Sequence, residues 1–281
     1  MSIKIVSDSS INMFRTDGPI PYTTVPLKIR IDETEFVDRE GIDTADMVAR
    51  MKTSSKPSTT SCPNAYEWME AFEGADNIFV VTISANLSGS YAAAMQAKDM
   101  YLEEHPEAKI HVINSKATGA TMRLIVRQLE NCLSQGMTFE TTKAFINDYM
   151  NHVKILFALE SLMNLAKNGR CPMAFAKIAG LLGIRFLGKA SDEGTIQQSH
   201  ICRGHKRTIK TTVEEMQRMG YQGGAVHIDH CLNPASAEDL RNAILAVYPE
   251  APVTIGLCTG LCSYYAEEGG MIIGFDDLPR Q

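Results

Sequence analysis

Short apolar runs alternate with amphipathic segments along most of the chain. Residues 78–83 are β-branched or aromatic throughout, which predicts a buried strand. The Ala- and Met-rich residues 92–100 favour a helix soon after it. Further strands are predicted at 3–6, 25–31, 109–113, 155–158, 225–228, 254–257 and 271–275, and helices at about 64–72, 118–135, 139–153, 208–219 and 235–247. Strands alternating with helices predict a parallel sheet with right-handed crossovers.

Two of these strands run into turns rich in hydroxyl groups. Asp8-Ser9-Ser10 follows the first strand, and residues 84–90, with three serines, follow the strand at 78–83. In open α/β sheets this strand end is where ligands bind. A helix N-terminus there favours negative charge, and Gly89 lets the backbone approach a ligand closely. The turn therefore predicts an anion site at Ser88 and Gly89, with a simple helix cap by Ser84 or Ser88 as the alternative.

Residues 52–64 form the segment densest in hydroxyl groups and have no apolar period, which predicts a loop. Thr60 and Ser61 stand just ahead of Pro63, where the next helix begins. We therefore expect these two hydroxyls at a second helix N-terminus. An exposed Ser/Thr linker is the alternative.

The most apolar stretch begins near Phe175 and continues to Leu187. A core helix is the first interpretation of this stretch, and a lining for an apolar ligand is the second. The residues that would line such a ligand are Phe175, Leu181, Leu182 and Phe186. Arg170 follows an apolar helix, and its guanidinium either faces an anionic headgroup or docking partner, or is an ordinary surface group near a helix C-terminus.

Composition excludes several classes of function. The 281 residues carry a net charge of −6 and no Lys/Arg-rich block, which argues against nucleic acid as a partner. Seven scattered cysteines without a signal-peptide pattern indicate reduced thiols and a cytoplasmic protein. No apolar run approaches the ~20 residues that cross a bilayer. Any lipid would be met in a soluble pocket or by transient contact with a membrane surface.

Signatures of catalysis, metal binding and nucleotide binding are weak or missing. No serine lies in a Gly-x-Ser-x-Gly elbow, and neither nucleotide-binding glycine motif occurs. His227 and His230 would point apart on a strand that runs into a loop, and Cys258 and Cys262 have the wrong spacing for a redox or zinc pair. We therefore assign no catalytic residue, no metal and no cofactor.

Four stretches, in order along the chain, resemble the DegV family. They are Ile3-Lys-Ile-Val-Ser-Asp-Ser-Ser10, Thr60-Ser-Cys-Pro63, Leu87-Ser-Gly-Ser-Tyr91 and Leu162-Met-Asn-Leu-Ala-Lys-Asn-Gly-Arg170. The resemblance implies two α/β domains, with parallel or mixed sheets flanked by helices and a ligand slot between the domains. We place residues 1–157, with the carboxylate-binding loops, in the first domain and residues 158–281, with the apolar tail lining, in the second.

The resemblance further implies a binding protein rather than an enzyme. Its ligand would be a long-chain fatty acid, presented to a separate ATP-dependent kinase that forms the acyl phosphate. The carboxyl group would lie at Thr60, Ser61, Ser88 and Gly89, and Arg170 would meet the partner or headgroup. One departure is clear: many relatives have a His-x-Gly-Pro-Gly turn where this chain reads Leu257-Cys-Thr-Gly-Leu-Cys-Ser-Tyr-Tyr265. That missing His puts its role in presenting the carboxyl in doubt.

Two other functions remain open from the sequence. Ser88 would be the nucleophile of a hydrolase or acyltransferase. A relative of the dihydroxyacetone kinase fold would bind a sugar, but in a polar cavity.

Overall fold

The computed structural model describes residues 2–179 and 181–279, which form three sheets and the helices around them. The strands are β1 (Ile3–Asp8), β2 (Tyr22–Val25), β3 (Lys28–Ile31), β4 (Thr34–Val37), β5 (Thr59–Ser61), β6 (Asn77–Thr82), β7 (Lys109–Asn114), β8 (Val153–Leu159), β9 (Ile184–Ala190), β10 (Ile196–Arg203), β11 (Val226–His230), β12 (Val253–Leu257) and β13 (Met271–Asp276). The helices are α1 (Thr44–Thr53), α2 (Ala65–Phe72), α3 (Ser90–Glu104), α4 (Ala120–Ser134), α5 (Phe139–Tyr149), α6 (Met163–Lys167), α7 (Met173–Ala179), α8 (His205–Arg218), α9 (Pro234–Val247) and α10 (Gly260–Ala266), with a 3₁₀ turn at Ser9–Ile11.

The first sheet is the parallel one that the sequence predicts. Its order is β2-β1-β6-β7, and every pair is parallel. All six residues of β6 are buried, because helices cover both faces of a parallel sheet. The predicted helix starts are also confirmed: Asn64 caps α2 through a reciprocal bond with Glu67, and Thr138 caps α5.

A small antiparallel sheet of order β4-β3-β5 corrects the loop predicted at 52–64. Within that segment Thr59–Ser61 is a strand, and Thr60 lies opposite Ile29 of β3. Strand β5 has only three residues, two of them exposed, which is too short for an alternating hydrophobic pattern to appear in the sequence. The strand can therefore be recognised only from its pairing with β3. Thr60 and Ser61 thus belong to a strand and not to the start of α2.

The second large sheet is mixed, which agrees with the parallel or mixed sheets that the family resemblance implies. Its order is β10-β9-β8-β13-β11-β12, and only β11 and β12 run parallel. Strand β8 includes residue 157, where the sequence analysis divides the chain, and that division stays a prediction. The sheet that defines the second part already begins at Val153.

Helix α4 packs against strands of both large sheets and joins their cores. Its N-terminal turn lies so close to β13 that a Cβ at Gly274 would be 2.5 Å from the backbone nitrogen of Thr121. Residues from β1, β6, α4, β8 and β13 share one continuous apolar cluster. The part of the molecule built on the parallel sheet and the part built on the mixed sheet therefore share a common core.

The apolar stretch after Phe175 is not one core helix. Helix α7 ends at Ala179, and a turn with Gly183 in the left-handed region leads into β9. The interpretation of 175–187 as a helix is therefore wrong from Leu181 onward. A run of apolar residues is compatible with one long helix, and equally with a helix, a turn and a buried strand in succession. The hydrophobic pattern alone does not distinguish these two structures.

Candidate functional site

A cavity of about 280 Å³ lies between the parallel sheet, the small sheet and the mixed sheet. Most of its wall is apolar. The apolar side chains come from the connection between β2 and β3, from the turn after β6, from β8 and β13, from α6 and α10, and from the start of β10. They include Leu27, Ile83, Leu87, Ile155, Phe157, Leu159, Leu165, Ile196, Leu261 and Ile272.

Hydroxyl groups collect at one end of this cavity. Thr60, Ser61, Ser88 and Gly89 all line it, as does Arg170, so the structure brings together the five residues predicted for the carboxyl group and the rim. Ser61 and Gly89 are also exposed, so this end opens to solvent. Neutral donors at the open end of an apolar cavity suit a ligand with a small polar head and a long apolar body.

Ser88, in the turn before α3, was considered both as an anion ligand and as a helix cap, and its contacts are compatible with both roles. The Ser88 hydroxyl accepts a hydrogen bond from the Ser90 N–H at 3.3 Å and also faces the cavity. The Ser88 N–H donates to the Ser84 carbonyl at 3.2 Å and is occupied. A Cβ at Gly89 would lie 3.1 Å from Sγ of Cys62, which is a tight contact. This contact places the Thr60–Cys62 segment beside the turn.

Arg170 is half-buried and bridges two segments at the rim. Its Nε donates to the Leu87 carbonyl at 3.1 Å, and its Nη1 donates to the Asn168 carbonyl at 2.6 Å. Its guanidinium also lies 5.8 Å from the ring centre of Tyr265. These contacts leave further guanidinium donors for an anion at the same end of the cavity.

Tyr265 is a cavity residue that the sequence reasoning did not select. It belongs to α10, in the stretch where the expected His is missing, and its hydroxyl lies 2.8 Å from Oγ1 of Thr60. Burial raises the pKa of Tyr265, so the phenol stays neutral and able to donate. The feature of the sequence that could have identified it is the Tyr264-Tyr265 pair, which stands in the stretch that replaces the expected His turn. Tyr264 is the anchor of the pair, since it donates to the Ser58 carbonyl at 3.1 Å.

The prediction of the tail lining is corrected by the structure. Leu181 and Leu182 are 60% and 98% exposed and lie in the turn before β9. Phe186 is fully buried behind the wall: its ring packs against Phe157, at 6.3 Å between centroids, and against Phe175, at 5.4 Å. None of these four predicted residues lines the cavity; Phe157 does. Phe186 lies opposite Leu159 and points to the same face of the sheet, but the rings of Phe157 and Phe175 pack against it. Such packing between distant segments cannot be seen in the sequence pattern.

A hairpin turn, which we call the clasp (residues 192–195, between β9 and β10), borders the cavity beside the turn that carries Ser88. Gly194 and Thr195 line the cavity. Three side chains of the first part donate to clasp carbonyls at 2.7 Å: Ser84 to Gly194, Asn86 to Glu193 and Lys116 to Asp192. Ser84 is therefore a tie between the two parts and not an anion ligand.

Two buried carboxylates position the loops around the cavity. Asp8 accepts from Ser90 Oγ at 2.7 Å and from the Ile83 N–H at 2.9 Å, and burial raises its pKa. Asp38 accepts from the Gly260 and Leu261 N–H groups at 2.7 and 3.0 Å, at the start of α10. Burial raises the pKa of Asp38 to about 6. Asp8 thereby holds the start of α3, and Asp38 holds α10, which carries Tyr265.

The histidines serve local structure. His230 accepts from the Asn233 N–H at 3.1 Å, as an ordinary hydrogen-bonded residue would. His227 lies between Thr254 and Asp229, at 2.7 and 3.0 Å. Within 2–179 and 181–279, no group of three or more His, Cys, Asp or Glu side chains is arranged to hold a metal ion. In the same ranges no helix is both long and apolar enough to span a membrane.

Comparison with known proteins agrees with this geometry. The profile of a family described as "Uncharacterised protein, DegV family" matches residues 2–276. The chain belongs to the DegV family. This confirms the resemblance found in its motifs. A DegV domain-containing protein of Streptococcus pyogenes is 39% identical over 279 residues, which cover 98% of this chain and 100% of the relative.

Two solved structures resemble this DegV protein along its whole length. The fatty acid kinase (Fak) B3 protein of Streptococcus pneumoniae, loaded with linoleic acid, matches with a TM-score of 0.97 and 37% identity. A DegV family protein of Eubacterium eligens, loaded with heptadecanoic acid, matches with a TM-score of 0.96 and 38% identity. Each match covers 99% of this chain and 100% of the other.

Proposed function

We propose that this DegV protein binds a long-chain fatty acid in the cavity, with the carboxyl group at the hydroxyl-rich end. The observation that carries the proposal is the joining of Thr60, Ser61, Ser88 and Gly89 at the open end of an otherwise apolar cavity. The acids bound by the two similar proteins support it. Tyr265 adds a neutral donor to this end through its contact with Thr60.

The energy of such a complex comes mainly from the tail. About 15 methylenes at ~0.8 kcal/mol each give roughly 12 kcal/mol of gross transfer free energy, enough for tight binding after the cost of association. The carboxyl group then needs orientation more than strong attraction. Hydroxyl donors provide this orientation, and the Arg170 guanidinium places a positive charge beside the rim.

The bound acid is presented to a separate ATP-dependent kinase, which transfers a phosphoryl group to the exposed carboxyl. Three observations support this part of the proposal: the hydroxyl end is open, the chain has no nucleotide-binding glycine motif, and a similar protein is named as the B3 protein of a fatty acid kinase. The protein acts as the binding subunit, in the cytoplasm. Arg170, at the rim, contacts the partner or the headgroup.

Fatty acids reside in membranes, and one exposed feature suits a transient contact with a membrane surface. Ile178, Leu181 and Leu182, which we call the α7 tip, are 40%, 60% and 98% exposed. Exposed apolar side chains beside the exposed Lys177 match the chemistry of an interfacial anchor. The tip therefore rests on the bilayer while the acid is exchanged.

The decisive experiment is denaturing extraction of the purified protein followed by lipid mass spectrometry. We expect a fatty acid in near-stoichiometric amount. Protein freed of lipid should gain ~2.7 kcal/mol of stability with palmitate or oleate at 100 times the dissociation constant. Lipid-free protein that also gains no stability from either acid would contradict the proposal.

The two alternative functions lack support from the described residues. A serine nucleophile requires a base, yet no described histidine lines the cavity, and the Ser88 hydroxyl contacts a backbone N–H. A fluorophosphonate probe should therefore leave Ser88 unlabelled. A sugar would require a polar cavity, whereas Phe157, Leu159 and Ile272 form this wall.

A further inference from the structure

The position of Arg170 depends on the end of the short helix α6. The backbone N–H of Arg170 donates to the Leu165 carbonyl at 2.8 Å, and its Nη1 donates to the Asn168 carbonyl at 2.6 Å. Helix α6 has only five residues, and a helix of that length is not stable by itself. Contacts with other elements therefore fix the end of α6, and with it the carbonyl that holds the guanidinium.

Helix α10 and the residue that follows it, Glu267, supply such contacts. Near the start of α6, Oε1 of Glu267 accepts from the Asn164 N–H at 3.1 Å, and Nδ2 of Asn164 donates to the Tyr264 carbonyl at 2.8 Å. Just after the last residue of α6, Nδ2 of Asn168 donates to the Tyr264 hydroxyl at 2.9 Å. The short helix is thus bonded at both ends to the segment that carries Tyr265.

The contact between Asn168 and Tyr264 is more than a helix cap. A side-chain amide has two N–H donors. Nδ2 of Asn168 lies 2.9 Å from the Asn164 carbonyl, one turn back, and this bond caps the end of the helix. The second bond, to the Tyr264 hydroxyl, adds nothing to the cap. It joins α6 to α10 across 96 positions of the chain.

The Tyr264 hydroxyl uses all of its hydrogen-bonding positions. A phenol hydroxyl donates one hydrogen bond and accepts two. Tyr264 is fully buried, and its hydroxyl donates to the Ser58 carbonyl at 3.1 Å. With that donor used, Oγ of Ser58, at 2.7 Å, and the Asn168 amide are the two groups that donate to it. A buried polar group whose bonds are all made holds its partners in one arrangement.

Arg170 also contacts α10 through a ring. Its guanidinium lies 5.8 Å from the ring centre of Tyr265, the residue next to Tyr264. The bond between Asn168 and Tyr264 therefore fixes the carbonyl that accepts from Nη1 relative to the ring under the guanidinium. A long side chain held in one orientation loses less conformational entropy when a partner binds it.

We propose that Asn168 is a positioning residue for docking of the kinase. Through Tyr264 it holds the Arg170 guanidinium in the orientation that meets the partner, while Asn168 itself does not line the cavity. The inference rests on the proposed function and deepens it, because it names the contact that prepares the rim for the partner.

The first measurement follows the Arg170 side chain without a kinase. Exchange of its Nε–H with water is measured by ¹⁵N NMR, and the signal is assigned by its loss in Arg170→Lys. The bond to the Leu87 carbonyl protects this hydrogen. For Asn168→Ala we expect exchange at least fivefold faster. Asn131→Ala is the matched control, because this exposed asparagine in the last turn of α4 bonds to Gln128 of the same helix. We expect no change there.

The second measurement varies the concentration of oleate-loaded protein in the reaction of a cognate kinase. For Asn168→Ala we expect KM to rise three- to tenfold while kcat and oleate affinity stay within twofold of wild type, because association with the partner is weakened. Tyr264→Phe, which removes the same bond from the other side, should give the same result. In an Arg170→Ala background, Asn168→Ala should cause no further change, since its effect passes through Arg170.

The outcomes separate the two proposals. Wild-type protein that carries no fatty acid and binds no oleate would overturn the proposed function and this inference with it. Unchanged Nε–H exchange in Asn168→Ala, or a loss of equal size in the Arg170→Ala background, would overturn the inference alone. If Asn168→Ala does not fold, as judged by circular dichroism, Tyr264→Phe takes its place in both measurements. Failure of both variants to fold would reject the inference.

Discussion

The hydroxyl oxygen of Tyr265 lies 2.8 Å from Oγ1 of Thr60, and this contact joins helix α10 to strand β5 at the open end of the cavity. The two residues are more than two hundred positions apart in the chain. Arg170 packs over the same tyrosine ring, at 5.8 Å. A buried carboxylate, Asp38, holds the N-terminus of α10 and so positions Tyr265. The polar end is thus assembled from both parts of the molecule.

Replacing Tyr265 with Phe removes one neutral donor and keeps the ring. We expect fatty acid affinity to fall about three- to tenfold, the effect of losing one hydrogen bond worth ~1 kcal/mol. Titration calorimetry with oleate measures the change. Tyr264→Phe is the matched control, because that hydroxyl bonds to Ser58 and lies outside the cavity lining. Equal losses in the two variants would show that Tyr265 does not act at the ligand.

The hydroxyl cluster should contribute as a group. Ser88→Ala should cost on the order of 1–2 kcal/mol, or about tenfold in affinity, because one hydrogen bond is lost from a complex dominated by its tail. Adding Thr60→Ala and Ser61→Ala should increase the loss, but less than additively, since the donors share one carboxyl group. A long-chain alcohol should be affected much less than the acid. Unchanged acid affinity in the triple variant would place the carboxyl elsewhere.

Arg170→Ala separates binding of the acid from its presentation. We expect acid affinity to stay within a few-fold of wild type, because the tail supplies most of the energy. Turnover with a cognate kinase should fall at least tenfold, since a charge at a rim acts mainly on partner association. Arg170→Lys, which keeps the charge but not the paired bonds to Leu87 and Asn168, is the control. Wild-type turnover in Arg170→Ala would contradict the proposed role.

The α7 tip should affect exchange with membranes and leave binding unchanged. We expect Leu182→Ser to slow transfer of a fluorescent fatty acid from anionic phospholipid vesicles several-fold, because each buried apolar group adds to interfacial affinity. Affinity for acid in solution should not change, as Leu182 does not line the cavity. Leu257→Ser, which removes another exposed leucine elsewhere on the surface, is the control. Equal transfer rates for all three proteins would exclude the contact.

Asp38 predicts a pH dependence of stability. Its pKa in the folded protein is about 6, above the ordinary aspartate value of 3.8, so the folded state binds this proton more tightly. The contribution of Asp38 to the free energy of unfolding is fully present below pH ~4. It is lost as the pH rises through ~6, by up to about 3 kcal/mol. The unfolding free energy of wild type minus that of Asp38→Asn should therefore decrease between pH 4 and 7. A constant or rising difference in urea titrations would contradict this assignment.

The sequence by itself determined the elements whose signals are local. A continuous β-branched run specifies β6, Asn64 and Thr138 specify the starts of α2 and α5, and short motifs identify the DegV family. It also selected the hydroxyl residues and Arg170, because Ser88 and Gly89 follow a strand directly and Thr60 and Ser61 stand in a segment rich in hydroxyl groups. Their role at the ligand stays a prediction.

Only the tertiary structure decided which residues face the ligand. Strand β5 exists because β3 offers it a partner, and the mixed sheet follows from pairings between distant segments. The apolar stretch at 175–187 divides into a helix, an exposed turn and a strand whose Phe186 lies behind the cavity wall. The hydrophobicity of a residue indicates that its side chain favours burial. The course of the backbone and the packing around it decide whether that side chain contacts the core, a ligand or solvent. Tyr265 reaches Thr60 for the same reason: packing of two parts, rather than proximity in the chain, brings them together.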